Sequence, residues 1–146
     1  MSWPVPQPGL VIRYAYLWDR EARAGQEEGI KDRPCAIVLV LLRDADDAPV
    51  VRVLPVTHTP PSDPAEAIEI PAATKQRLGL DSERSWIVLT EANDFVWPGP
   101  DLRPAVNGDP SSIVFGMLPP RFFAQVREGL LRLHRERRLR GVARTE

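Results

Sequence analysis

A chain of 146 residues is long enough for one domain with its own hydrophobic core. Its formal net charge of −1, from 19 basic and 20 acidic residues, excludes a global attraction to nucleic acid, so any surface that grips an anion must be built locally. Cys35 stands alone, which excludes an internal disulfide, and with no apolar run of membrane-spanning length and no signal-peptide pattern the expected compartment is the cytoplasm.

Residues 1–8 hold Pro4, Pro6 and Pro8 and read as an extended arm. Gly9 opens a first strand, in which Val11, Arg13, Ala15 and Leu17 alternate with Ile12, Tyr14, Tyr16 and Trp18. Apolar side chains fall on both faces, the pattern of a closed or well-covered sheet, and suggest more burial than one small barrel needs. Asp19 to Asp32 is polar, with Gly25 and Gly29 and no clear period, and is expected to be a long, mobile loop of the kind that often carries function. Cys35 to Leu42 is an unbroken apolar run bounded by Pro34 and Arg43-Asp44, which predicts a buried strand with the proline at its mouth. Residues 43–49 are a turn by composition, and Val50 to Val56 is a second buried strand in a hairpin with the first.

Thr59 to Pro64 is a proline-rich loop, Ala67 to Ile70 a short strand, and Pro71 to Leu78 a short helix closed by Gly79. Ser85 to Thr90 reads as a further strand, Glu91-Ala92-Asn93-Asp94 as its exit, and residues 95–112 as irregular. Ile113 to Met117 forms a small edge strand or a turn. The chain closes with a helix that starts at Pro119-Pro120 and carries Phe123, Val126, Leu130 and Leu133 on one face. Arg135, Arg137, Arg138 and Arg140 gather at its end, where cations suit the helix dipole. Strands in sequence, without regular helices between them, argue against a doubly wound sheet. The expected fold is β-rich α+β: a small antiparallel barrel covered by the C-terminal helix, with residues 1–146 in one domain.

In a hairpin the start of one strand lies beside the end of the next. Arg33, before the first hairpin strand, and Thr57, after the second, therefore share one rim, next to Gln26, Glu27 and Glu28. A guanidinium, a hydroxyl and an adaptable polar loop could hold a phosphate; they could equally be ordinary rim polarity. His58 follows Thr57 and as an imidazole is a candidate for acid–base work, but the two share a site only if the strand ends there. His134 reads as a surface residue, Cys35 as a small buried apolar one, and Trp18 and Trp97 as candidates for stacking on bases. No ligand-spaced His/Cys cluster and no glycine-rich phosphate loop is present, so neither metal nor cofactor is expected.

Gly25-Gln26-Glu27-Glu28-Gly29 followed by Lys31-Asp32-Arg33-Pro34 and the Val/Ile-rich strand resembles the loop and Arg-Pro of the MazF/PemK toxins. Pro55-Val56-Thr57 matches the end of that family's second strand, and Trp86-Ile87-Val88-Leu89-Thr90-Glu91 its strand ending in an acid. The resemblance runs from Gly9 to about Leu133. It implies an SH3-like barrel, a homodimer, a cognate antitoxin as protein partner, and metal-independent cleavage of single-stranded RNA. Its catalytic pair corresponds to Arg33 and Thr57, and its loop glutamate to Glu27. The general base stays open between Glu27 and His58. A module that only binds, or a gyrase-poisoning toxin, is the alternative on the same fold.

Overall fold

The computed structural model describes residues 2–25, 31–42, 48–136, 138 and 140–144, Arg140 by its backbone alone. In chain order the elements are β1 (Leu10–Tyr14), α1 (Asp19–Arg23), β2 (Arg33–Leu41), β3 (Val50–Thr57), β4 (Ala67–Glu69), α2 (Ala72–Arg77), β5 (Trp86–Val88), β6 (Glu91–Val96), β7 (Val114–Met117), α3 (Pro120–Arg135) and β8 (Arg140–Ala143). The fold is β-rich α+β, with a C-terminal helix on one mostly antiparallel sheet. Among the described residues the strands run as an open path, β4-β5-β3-β2-β1-β7, with β6 branching from β3 and β8 from β6. No helix among the described residues is long and apolar enough to cross a membrane.

The alternation read in β1 is used on both sides. Val11, Ala36, Leu54 and Ile87 pack on one face, under Phe122, Val126 and Leu133 of α3. Ile12, Tyr14, Cys35, Ile37, Val53 and Phe95 build a second cluster on the other face. The two apolar faces of β1 are thus covered within the chain itself. Full burial of each Val, Ile or Phe is worth about 1.5–3 kcal/mol, so the two layers supply most of the drive for folding. Close approach sets the seat of α3: a Cβ added at Gly129 would fall 2.7 Å from Leu89 Cδ1.

Four local expectations are corrected. The long loop after Trp18 begins with a helical turn, α1, because Glu21 Oε1 accepts from Trp18 N at 3.0 Å and Asp19 pairs with Arg23 at 3.2 Å. The apolar run of β2 is buried only in its first half: the register slips between Ile37 and Leu39, Val40 takes over the inner face, and Leu39 and Leu41 turn outward.

The stretch read as leaving β5 is instead the strand β6, paired with β3 from Val50↔Val96 to Val53↔Asn93. Its polar residues find partners that no local pattern shows. Asn93 is fully buried, with Oδ1 accepting from Leu17 N at 2.9 Å and Nδ2 donating to Leu17 O at 2.8 Å, while Asp94 takes Arg52 through two bonds of 2.8 and 2.9 Å. Past α3 the chain adds β8, parallel to β6. Arg144 then enters the core and donates to Asp101 Oδ2 at 2.7 Å, Asn93 Oδ1 at 2.9 Å and Ala15 O at 3.1 Å.

Candidate functional site

The hairpin of β2 and β3 does place Arg33 and Thr57 at one rim. Arg33 pairs with Tyr14 of β1, and Cys35 with Pro55 of β3; two residues further along that register, Arg33 comes beside Thr57. Both line an open groove of about 500 Å³, together with Trp18, Arg20, Lys31 and His58. Three cations, a tryptophan and threonine hydroxyls lining one groove suit a phosphate-linked ligand carrying flat rings.

Each group has a local reason to be there. The Arg33 guanidinium lies 4.9 Å from the Trp18 ring, and its Nη1 donates to Val56 O at 3.3 Å. Arg20, from α1, stands 5.3 Å from the same ring. The start of α1 is pinned to β6, since Glu91 Oε1 accepts from Asp19 N at 2.9 Å and from Tyr16 Oη at 3.1 Å. Burial holds the Glu91 carboxyl above the usual carboxylate range; burial, then the charge of Glu91, pushes the Tyr16 phenol up. The acid that ends the resembling strand therefore positions α1 and its arginine.

Thr57 is the last residue of β3, and its Oγ1 accepts from Thr59 N at 3.2 Å in a tight local turn. That leaves its hydroxyl proton for donation to a ligand. Because the strand ends there, His58 is released from alternation and lines the same groove. Its Nε2 is 2.7 Å from Asp81 Oδ2 and 3.5 Å from Glu83 Oε2. These three side chains offer donor atoms within 4.8 Å of one another and could hold a divalent cation; as they stand, the His58–Asp81 separation is that of a hydrogen bond.

Asp81 is itself held. Lys75, 5 % exposed, donates to Asp81 Oδ1 at 2.6 Å, to Ser85 Oγ at 2.6 Å and to the Glu83 carbonyl. The Lys75 ammonium foremost, then His58, keeps the Asp81 carboxyl below the usual carboxylate range.

Other candidates fall elsewhere. Glu27 lies outside the described residues. Trp97 is buried and donates to Pro4 O at 3.0 Å, which ties down the N-terminal arm and removes it from the groove. Cys35 is fully buried and burial pushes its thiol up, consistent with a packing residue. His134 is exposed on α3. Of the arginines after the helix, Arg138 bridges Asp63 at 2.9 Å and Glu66 at 2.8 Å.

Sequence reasoning passed over Arg20, Lys75, Asp81 and Glu83. One signal was available for Lys75: it is one of two lysines in a chain whose other cations are arginines. No protein-family model, curated protein or solved structure matches the chain.

Proposed function

We propose that the protein is a metal-independent endoribonuclease toxin of a toxin–antitoxin pair, on the SH3-like plan of the MazF/PemK proteins that its sequence resembles. The observation that carries this reading is the convergence of Arg33 and Thr57 on one open groove beside Trp18, Arg20 and Lys31. In the proposed reaction the ribose 2′-oxygen attacks the adjacent phosphorus, the bond to the 5′-oxygen breaks, and the products are a cyclic phosphate and a free 5′-hydroxyl.

Arg33 stabilises the charge on the pentacovalent phosphorus; a guanidinium is too weak an acid to protonate the leaving oxygen. Thr57 donates to a non-bridging oxygen. Arg20 and Lys31 hold neighbouring phosphates, an attraction confined to the groove as the near-zero net charge requires. A cytoplasmic homodimer, neutralised by a cognate antitoxin, completes the proposal by resemblance.

The test is incubation of purified protein with a long RNA in EDTA, beside Arg33→Ala, with the product ends analysed. Cleavage to cyclic-phosphate ends by the wild type and not by the variant supports the reading. Intact RNA with the wild type would sink it and leave a binding module or a gyrase poison.

A further inference from the structure

We propose that His58, oriented by Asp81 and through it by Lys75, is the general base of the groove. The assignment rests on the ribonuclease reading above and deepens it.

The two oxygens of Asp81 are divided: Oδ1 accepts from the Lys75 ammonium at 2.6 Å and from Glu83 N at 3.2 Å, and Oδ2 faces His58 Nε2. An ammonium has only protons to give, so it fixes Oδ1 as an acceptor. The ionised carboxylate then accepts at Oδ2 as well, which places the imidazole proton on Nε2 and leaves the lone pair on Nδ1. Nδ1 is the atom that the imidazole can offer to the groove it lines with Arg33 and Thr57. A buried lysine is costly unless its protons are satisfied, and Lys75 has three acceptors, all within residues 81–85. It anchors the segment that aims His58. Asp81 and Lys75 are positioning residues, and neither needs to touch RNA.

The 2′-hydroxyl proton passes to Nδ1, the 2′-oxygen–phosphorus bond forms, the phosphorus–5′-oxygen bond breaks, and the 5′-oxygen takes a proton from solvent. The imidazolium returns its proton to solvent. General base catalysis of this kind contributes on the order of 10²–10⁴-fold.

The experiment measures kcat and KM on a labelled oligonucleotide spanning a site that the wild type cleaves. His58→Ala is expected to lower kcat by about 10²-fold or more with KM changed less than about twofold, and added imidazole is expected to restore part of the rate. Asp81→Asn keeps the shape. Lys75 still demands the amide oxygen, so the amide nitrogen meets His58 Nε2 as a donor, moves the ring proton to Nδ1 and disarms the base. It is expected to lower kcat with KM retained.

Because Asp81 acts through His58, the double variant is expected to be no slower than His58→Ala alone. Should His58→Ala fail to fold, His58→Gln gives the same comparison. Wild-type kcat in a folded His58 variant, while Arg33→Ala is dead, would overturn the assignment and leave the ribonuclease reading intact. Additive losses in the double variant would make Asp81 a structural residue and overturn the dyad. A wild type that cleaves no RNA would overturn both.

Discussion

Replacing Arg33 by alanine separates a charge aimed into the groove from a prop of the fold. Within the described residues its side chain makes one long hydrogen bond, Nη1 to Val56 O at 3.3 Å, and one cation–π contact, 4.9 Å from the Trp18 ring. A normal hydrogen bond nets about 0.5–1.5 kcal/mol, and a long one less. A partly exposed cation–π contact is worth about 0.5–1 kcal/mol. Arg33 Nε is buried without a hydrogen-bond partner among the described residues, so truncation also removes a desolvated donor, which offsets part of the loss. The expected cost is about 1 kcal/mol, or a Tm lower by roughly 2–5 °C for a chain of this size.

The expected loss of cleavage rate is on the order of 10²–10³-fold, about 2.7–4 kcal/mol of transition-state stabilisation. Arg33→Lys should restore little of it, because an ammonium cannot make the two-pronged contact of a guanidinium. Thermal melts and cleavage of a labelled RNA on the same preparations compare the two effects. An Arg33→Ala protein that melts normally and cleaves like the wild type would refute a role in the mechanism. One that fails to fold would make Arg33 a support of the fold.

Arg144→Ala leaves the buried Asp101 with only the more distant Arg103, 3.6 Å away, and should cost about 2–4 kcal/mol in urea unfolding, less than the full penalty of an uncompensated buried charge; a loss below about 1 kcal/mol would contradict the buried contacts that follow β8. Glu91 has a carboxyl pKa raised above the unfolded value, mainly by burial, so its charged form disfavours folding. The native state binds its proton more tightly than the unfolded state, and that burden falls away as pH drops through the raised value. Glu91→Gln should therefore raise Tm in mildly alkaline buffer, and the difference should shrink as the buffer is acidified; a constant difference would refute the charge argument. Alanine for glycine inside a helix normally gains about 0.5–1 kcal/mol. Gly129→Ala should instead lower Tm, because its Cβ would fall 2.7 Å from Leu89 Cδ1, in the core, and overpacking costs about 1–3 kcal/mol. A higher Tm would show that Leu89 yields freely.

Local patterning sets the frame of the fold. Alternation in Val11 to Tyr14, the proline before Cys35 and the apolar run of Val50 to Val56 were enough to give the hairpin and two-sided burial, because side-chain period and chain stops are local properties. The hairpin in turn puts Arg33 and Thr57 at one rim by strand order alone. Features supported by distant partners lie beyond such local patterns. Glu91 to Val96 is a strand because Leu17, Arg52 and Arg144 satisfy Asn93 and Asp94, and no local propensity announces that. His58 meets Asp81 across 23 positions, and Arg144 meets Tyr14 across 130. Such pairs form because the chain has already folded around them, so their spacing in sequence carries no period to read.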